Sequence, residues 1–494
     1  MSTRRTQLFI TSDWHLGGSL DERLGDRTSL GSSIFRSVSQ LTRFLDSLQG
    51  EVHAFDGDSQ IVLNGDIVDF LAPNPANNYT PLAWQNNEAA ICEELTDIAA
   101  RFVGDDGRGP FAALSDLASM GCQIVVLLGN HDVELCLPKV RDRFVELLGG
   151  GSKLRFIYDG EAYSCGRLLV EHGNQYDRFN AVDFDMLRRE RSQLSRGMKI
   201  NDADRGKLFF QPPVGSSIVV DEVNPRLPNV PFLNLLKPEF SAAIPLMLAL
   251  YPETRKFFEL AFEMGKIAKR SYANTPSKRP GLMSGRVSET HLDLNSFLRE
   301  ELATDAETFL GAPKRPGQLS GSKTDKSSVM SRLAAKAAAT IDLTCPWGLY
   351  SKLRSDDAAE RLKSVRIALK RVHDIADFAT DTETNVYLIP AAELIKRGFE
   401  AIVFGHTHFP KEIEMGGGKY LNAGTWADVL RLPKEIGSSN ETIADEAIEK
   451  FLLDMKQQNY EPYVVRHLSY VRAIVERDGS VNTALKFYSG EPPQ

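Results

Sequence analysis

Cysteine is scarce in this sequence and is not arranged for cross-linking or metal binding. The 494 residues include five cysteines, and no two of them have a CxxC spacing. Disulfide frameworks use paired cysteines, and structural zinc sites use closely spaced ones. An odd, scattered set is typical of buried thiols in a reducing compartment. The cysteine pattern therefore argues against a disulfide-stapled domain and against a Cys-ligated zinc site.

Long hydrophobic runs are also missing. A membrane-spanning helix needs about 18 or more apolar residues with few or no charges. The nearest candidate, residues 232–251, is interrupted by Lys237, Pro238 and Glu239. The N-terminal residues MSTRRTQLFITSDWH do not resemble a signal peptide, because the apolar run is short and ends in Asp and His. We therefore expect no membrane span and a cytoplasmic location.

The chain has no surplus of positive charge. Its net charge is −8 and its isoelectric point is near 5.7, which argues against a protein that coats nucleic acid. Residues 311–340 are a local exception, with six Lys or Arg residues and one Asp. This segment is either a solvated charged surface or a contact for a substrate or nucleic acid.

The sequence does contain five short apolar runs that are typical of buried parallel strands. They lie at residues 8–11, 61–64, 124–129, 168–172 and 401–405. Helical patterns such as residues 88–103 separate several of these runs. Strands that alternate with helices predict an α/β fold, in which ligands bind at the carboxyl ends of the strands.

The pattern changes in the middle of the chain. Residues 181–385 are mostly helical with loops, and residues 356–378 form a clear amphipathic helical pattern. Near the C-terminus, residues 464–476 and 481–488 predict a hairpin that turns at Asp478-Gly479. We therefore predict a core made of residues 1–180 and 386–494, interrupted by a helical insertion or cap over residues 181–385.

Each of the five predicted strands ends in Asp, Asn or His, usually beside glycine. Five of the nine histidines lie at these places. The residues are Asp13 and His15, Asp66 and Asp69, Asn130 and His131, His172, and His406 and His408. In an extended chain, residues two apart point to the same side, so each Asp-x-His or His-x-His pair is expected to face one point.

This set of side chains predicts a metal centre. Oxygen and imidazole ligands without thiolate suit Mn, Fe, Zn, Co or Ni. Even seven ligands out of these nine residues are too many for one ion but fit two divalent ions that share a carboxylate. Crowding so many polar groups into one partly dry cleft would be unfavourable without bound ions.

The ordered motifs resemble those of the calcineurin-like metallophosphoesterase superfamily. That family has D-x-H, GD-x-x-D, GNH-[DE], a His beside Gly, and GH-x-H in this order, and all five occur here. The resemblance covers about residues 6–180 and 386–490 and leaves out the helical insertion. It implies a four-layer α/β/β/α sandwich with a dinuclear metal site.

The resemblance also implies a role for each residue. The first ion would be held by Asp13, His15, Asp66 and His408, and the second by Asp66, Asn130, His172 and His406. His131 matches the catalytic histidine of the family, and Asp69 matches the acid that orients it, a task in which Asp132 is a second candidate. The metal expected first is Mn, and the expected reaction is hydrolysis of a phosphodiester or diphosphate bond by a water activated between two ions.

The substrate stays open at this stage. LNAGTW (residues 421–426) is similar to a strand of some bacterial members. This similarity favours a lipid or sugar-nucleotide diphosphatase such as the UDP-diacylglucosamine hydrolases. Those enzymes, however, usually have Arg in place of His131 and Asp in place of Asn174. A nuclease acting on nucleic acid, a phosphomonoesterase and a non-catalytic metal-binding scaffold are the alternatives. Arg178 is a candidate clamp for a phosphate group.

Overall fold

The computed structural model describes nine ranges of the chain. These are residues 4–19, 32–150, 153–177, 179–201, 204–228, 230–237, 366–367, 369–370 and 378–489. The contacts between described residues group those of 4–237, 378–431 and 459–489 into one compact unit. The described residues of a second unit are 366–367, 369–370 and 432–458.

The larger sheet of the first unit contains six strands. In chain order they are β1 (Thr6–Thr11), β2 (Asp58–Asn64), β3 (Gln123–Leu127), β4 (Leu154–Ile157), β12 (Ser469–Val475) and β13 (Val481–Phe487). Strands β1 to β4 are parallel neighbours, and β12 joins β1 on the other side in an antiparallel pair. The carboxyl ends of β1, β2 and β3 therefore meet at one edge of this sheet.

The second sheet of the same unit contains five strands. They are β5 (Tyr163–Cys165), β6 (Leu168–Val170), β7 (Ala401–Phe404), β8 (Lys411–Met415) and β9 (Gly418–Asn422). Strands β6, β7 and β9 are parallel, and β5 and β8 close the two edges in antiparallel pairs. Two short strands, β10 (Asp428–Leu430) and β11 (Val464–Arg466), pair separately.

Eight α-helices lie within the described residues. They are α1 (Val38–Ala54), α2 (Glu88–Arg101), α3 (Pro110–Ser119), α4 (Pro138–Leu147), α5 (Phe184–Leu194), α6 (Val214–Ile218), α7 (Asn385–Lys396) and α8 (Glu441–Lys456). Several begin after a residue that satisfies a free backbone N–H: Asn87 accepts from Ala90 N at the start of α2, and Asp183 accepts from Met186 N at the start of α5.

Successive side chains of a strand point to opposite faces of its sheet, and both faces of each sheet are buried. Leu8 and Ile10 of β1 pack with Val403 of β7 in a core shared by both sheets. Phe9 of β1 packs in a core with α1, α2, α3 and α4 on the opposite face of the larger sheet. Phe404 of β7 packs with residues of α7 on the opposite face of the second sheet. Because both faces are buried, the strands read as continuous apolar runs in the sequence.

The five predicted strands and the α/β class are confirmed by β1, β2, β3, β6 and β7. The predicted hairpin is confirmed for β12 and β13, with Gly479 at a φ of +84° in the turn. Its first residues were assigned wrongly, because residues 464–466 leave the hairpin and pair with β10. Among the described residues, no helix has the length and apolar character that a membrane crossing requires.

The insertion is described only in part. The described residues between 181 and 237 contain α5, α6 and short helical turns, and they belong to the first unit. Most of residues 238–377, including the basic segment 311–340 and most of the predicted helix 356–378, lie outside the described residues. The division into residues 1–180, 181–385 and 386–494 therefore stays a prediction.

Candidate metal centre

The polar residues predicted to form a metal centre lie in loops at the carboxyl ends of strands from both sheets. The loop after β1 carries Asp13 and His15, and the loops after β2 and β3 carry Asp66 and Asn130. The second sheet contributes His172 after β6 and the His406 to His408 segment after β7. All seven predicted ligands belong to the first compact unit.

The backbone at these loops is unusual. Among the described residues, eight non-glycine residues have a positive φ, and five of them are predicted ligands. These five are Asp13 (52°), His15 (53°), Asp66 (51°), His406 (70°) and His408 (66°). Each costs about 1–3 kcal/mol of backbone strain, and such strain concentrates at functional sites. The predicted period-of-two geometry is wrong, since the pairs converge through left-handed turns and not along an extended strand.

Asp13, His15 and His408 form one group of possible ligands, whose ligand atoms lie within 4.8 Å of one another. His15 Nε2 lies 3.1 Å from His408 Nε2, and His408 Nε2 lies 3.4 Å from Asp13 Oδ1. Ligand atoms bound about 2.0–2.2 Å from one ion lie about 3–3.5 Å apart. The spacing of this group therefore fits one metal ion, at the position predicted for the first ion.

Asp66, His172 and His406 form a second group with the same spacing limit of 4.8 Å. Asp66 Oδ1 accepts a hydrogen bond from the backbone N of His131 at 2.8 Å. Asp66 Oδ2 lies 3.1 Å from His172 Nε2 and 3.8 Å from His15 Nε2. One carboxylate oxygen thus faces both groups, which is the position expected of a ligand shared by two ions.

Hydrogen bonds at the far side of two imidazoles decide which nitrogen faces the centre. His172 Nδ1 donates to the backbone carbonyl of Asn64 at 2.7 Å. His15 Nδ1 lies 3.2 Å from Asp69 Oδ2. In both residues the Nδ1 proton is held away from the centre, so Nε2 is the nitrogen left to bind a cation.

Asp69 contacts the imidazole rings of two histidines. Its Oδ2 contacts His15 Nδ1, and its Oδ1 lies 3.0 Å from Nδ1 of His131. Burial acts to raise the pKa of Asp69, but His131 and His15 outweigh it and hold the pKa below the usual value. Asp69 is therefore an ionised carboxylate that orients both rings. It could not be predicted from the motif alone that Asp69 also supports His15.

Asp132, the second candidate for orienting His131, has a different role. Its Oδ1 accepts from Gly129 N at 2.7 Å, and its Oδ2 accepts from Ile67 N at 2.8 Å. Burial and the charge of Asp66 raise the pKa of Asp132 to about 7. Asp132 therefore ties the loops after β2 and β3 together, and the contact to His131 is made by Asp69.

The buried carboxylates shift the titration of the imidazoles in the metal-free protein. Burial lowers the pKa of His15, but Asp13 and Asp69 outweigh it and raise the pKa to about 10. In the same way, Asp66 and Asp13 outweigh burial and raise the pKa of His172 to about 9. Burial and the charge of Lys237 lower the pKa of His408 well below its usual value. In the metal-free protein His15 is therefore protonated and His408 is neutral, and the proton lies between Nε2 of His15 and Nε2 of His408.

Unsatisfied polar atoms support a cation at this place. Asp13 Oδ1 and Asn130 Oδ1 are buried and have no hydrogen-bond partner in the part of the chain that the structure describes. Leaving a buried polar atom unpaired costs about 1–3 kcal/mol. A cation coordinated by these oxygens would remove that cost, and the carboxylate, amide and imidazole donors suit the metals predicted from the sequence. The residues present therefore fit two divalent ions.

A third group of possible ligands overlaps the first. His15, Asp69 and His131 also offer ligand atoms within 4.8 Å of one another. In this group, however, Asp69 bonds to both rings through their Nδ1 atoms. The His131 side chain is 12% exposed, against 1% for His15 and His172. The His131 ring is thus more exposed than the rings of His15 and His172.

The LNAGTW segment holds two of the ligand loops in place. Asn422 Nδ2 donates to the carbonyl of Gly405 at 2.7 Å, just before His406. Thr425 Oγ1 donates to the carbonyl of Asp13 at 2.7 Å, and Trp426 is fully buried. The sequence pattern favours a substrate class for this segment, whereas the bonds of Asn422 and Thr425 to Gly405 and Asp13 support the backbone of the ligand loops.

Gly405 leaves no room for a side chain beside Asp13. A Cβ at this position would lie 2.0 Å from Ser12 Oγ and 2.7 Å from Asp13 Oδ2. We expect Gly405→Ala to lower the free energy of unfolding by about 1–3 kcal/mol and to weaken metal binding, because Asp13 must shift. Gly416→Ala is the matched control, since nothing lies within 4 Å of its added Cβ. Equal melting temperatures and metal affinities for the two variants would contradict this account.

Two residues of the centre were missed by sequence reasoning. Asp177 Oδ2 lies 3.0 Å from His406 Nε2, and Asn180 Oδ1 lies 3.5 Å from Asn130 Nδ2. Both follow the glycine after His172 within a few residues, which is the one signal that could have drawn attention to them. Arg178, the predicted phosphate clamp between them, lies outside the described residues.

No protein-family model matches this chain, and a search of curated proteins finds no significant match.

Proposed function

We propose that this protein is a hydrolase that cleaves a phosphodiester or diphosphate bond with the help of two divalent metal ions. The observation that carries the proposal is the shared position of Asp66 Oδ2, which faces the first group through His15 and the second group through His172. Two adjacent cation positions bridged by one carboxylate are suited to in-line displacement at phosphorus. The resemblance of the five motifs to the calcineurin-like metallophosphoesterases supports the same reaction class.

The packing of the first unit supports the fold that the resemblance implies. Helices cover the outer face of each sheet, and the inner faces share one core. We propose on this basis the four-layer α/β/β/α sandwich, with the centre at the strand ends of both sheets.

The chemistry divides between the ions and the residues around them. Two divalent cations bound here would acidify a water molecule and neutralise charge on the phosphoryl oxygens. Asp69 accepts the Nδ1 proton of His131, so Nε2 is the nitrogen left to exchange a proton with a substrate. Burial lowers the pKa of His131, but the charges of Asp69 and Asp66 outweigh it and raise the pKa. His131 can therefore hold a proton on Nε2 and donate it to the departing oxygen.

The test compares metal content with hydrolysis of two model esters. The protein is purified, its metals are counted, and it is assayed with Mn²⁺ on bis-p-nitrophenyl phosphate and on p-nitrophenyl phosphate. We expect about two ions per chain, cleavage of the diester, and loss of cleavage after chelation. His53→Ala, which changes an exposed histidine at the end of α1, is a control that should behave as the wild type.

The other outcomes have definite meanings. Cleavage of the monoester alone would overturn the diesterase assignment in favour of a phosphomonoesterase. Metal uptake without cleavage of either ester, of a nucleic acid or of a sugar-nucleotide diphosphate would support a metal-binding scaffold. Failure to bind metal would overturn the proposal altogether.

A further inference from the structure

Asp177 is a partly buried carboxylate, 22% exposed, that contacts a predicted ligand of the second ion. Its Oδ2 lies 3.0 Å from His406 Nε2 and accepts a second hydrogen bond from Asn180 Nδ2 at 2.6 Å. Its Oδ1 accepts from the backbone N of Phe179 at 2.9 Å. Both oxygens therefore have partners, and the position of the carboxylate is fixed by its own loop.

The contact with Asp177 decides which nitrogen of His406 can bind a cation. Because the carboxylate accepts the Nε2 proton, Nδ1 is the nitrogen with a free lone pair. The backbone N of His406 also donates to Asp13 Oδ2 at 2.9 Å. His406 is thus held at its backbone by a ligand of the first group and at its ring by Asp177.

Asn180 in turn fixes the orientation of the Asn130 side-chain amide. The Asn180 side chain must turn its Nδ2 toward the carboxylate of Asp177, so its Oδ1 is the atom that faces Asn130. Asn130 Nδ2 then points to Asn180 Oδ1 at 3.5 Å, and Asn130 Oδ1 is left buried without a hydrogen-bond partner among the described residues. The free amide oxygen of Asn130 is therefore the end available to a cation.

Packing from a later part of the chain keeps Asn180 in place. The backbone N of Gly215, in α6, donates to the carbonyl of Phe179 at 2.7 Å. A Cβ on Gly215 would lie 2.0 Å from Asn180 Oδ1, so the absence of a side chain lets α6 close over this amide. Ser216 Oγ also donates to the carbonyl of Asn130, at 3.4 Å.

We propose that Asp177 and Asn180 are positioning residues that set the affinity of the second metal position by fixing the orientation of His406 and Asn130. This inference rests on the proposed function, since it requires that the second group binds an ion. The first group is expected to be independent of both residues, because the contacts of Asp177 and Asn180 described above reach His406 and Asn130 and do not include His15 or His408.

The test measures the two affinities for Mn²⁺ separately. Wild type, Asp177→Ala and Asn180→Ala are titrated with Mn²⁺ by calorimetry, and the spin-coupled Mn²⁺ pair is followed by electron paramagnetic resonance. We expect the second affinity to fall about 10–100-fold in Asp177→Ala, with the first affinity unchanged and an uncoupled Mn²⁺ signal at one equivalent. Asn180→Ala should give a smaller fall in the same affinity.

Two controls keep the inference falsifiable. Asp185→Ala removes an exposed carboxylate of α5 and should leave both affinities as in the wild type. If Asp177→Ala does not fold, Asn180→Ala decides the matter. Wild-type binding of two ions with unchanged affinities in the Asp177 and Asn180 variants would overturn the inference alone. Failure of the wild type to bind a second ion would overturn the proposed function together with it.

Discussion

Replacing His131 with alanine is expected to lower the rate of diester hydrolysis by about 10²–10⁴-fold while both metal ions stay bound. The His131 ring is held by Asp69 through Nδ1. Its side chain is 12% exposed, which is more than that of any other histidine of the centre. Its backbone N, which bonds to Asp66, is unchanged by the substitution. The rate with bis-p-nitrophenyl phosphate and the metal content of the same sample give the measurement.

The metal content separates two roles that His131 can have. If His131 is a ligand of the third group with His15 and Asp69, the alanine variant will lose an ion as well as activity. Asp69→Asn is the informative companion, because Asp69 contacts both rings. We expect it to lower the rate and also to weaken the first metal position. Full activity in His131→Ala would contradict the proton-donating role.

The order of elements in the core could be predicted because buried parallel strands leave a direct trace in the sequence. Strand β7, for example, is apolar at all four positions since it packs on both faces. The boundary at residue 464 could not be predicted in the same way. Residues 464–466 and β12 are both rich in β-formers, and only the pairing with β10 separates them.

The convergence of the predicted residues at one place could also be predicted, but their backbone geometry could not. The motifs identify Asp13 and His408, yet the sequence gives no sign that both take a left-handed backbone. That conformation is imposed by tertiary contacts such as the bond from Asp13 N to the carbonyl of Gly65. Asp177 and Asn180 were missed for the same reason, because a supporting residue is recognised by what it touches and has no motif of its own.

Metal affinity is expected to rise with pH, by about tenfold per pH unit at each position between pH 6.5 and 8.5. A ligand imidazole must be neutral, and in the metal-free protein the pKa is about 10 for His15 and about 9 for His172. Each ion therefore has to displace one proton over this range. His408, whose pKa is lowered, contributes no further proton. Calorimetric titration with Mn²⁺ in buffers of different ionisation enthalpy measures about one proton released per ion.

The same shifts predict that stability falls more steeply with pH in the metal-free protein than in the metal-bound protein. A histidine whose pKa is raised on folding stabilises the fold below the unfolded pKa of about 6.5, and that contribution is lost as pH rises through the folded value. The metal-free protein should therefore lose stability from about pH 6.5 toward pH 9–10, where His172 and His15 titrate. The metal-bound protein should lose less, because its imidazoles are already neutral. The gap between the two melting temperatures should widen with pH, and His53→Ala should leave it unchanged. A gap that is constant from pH 6.5 to 8.5 would show that protons and metal ions do not compete for these imidazoles.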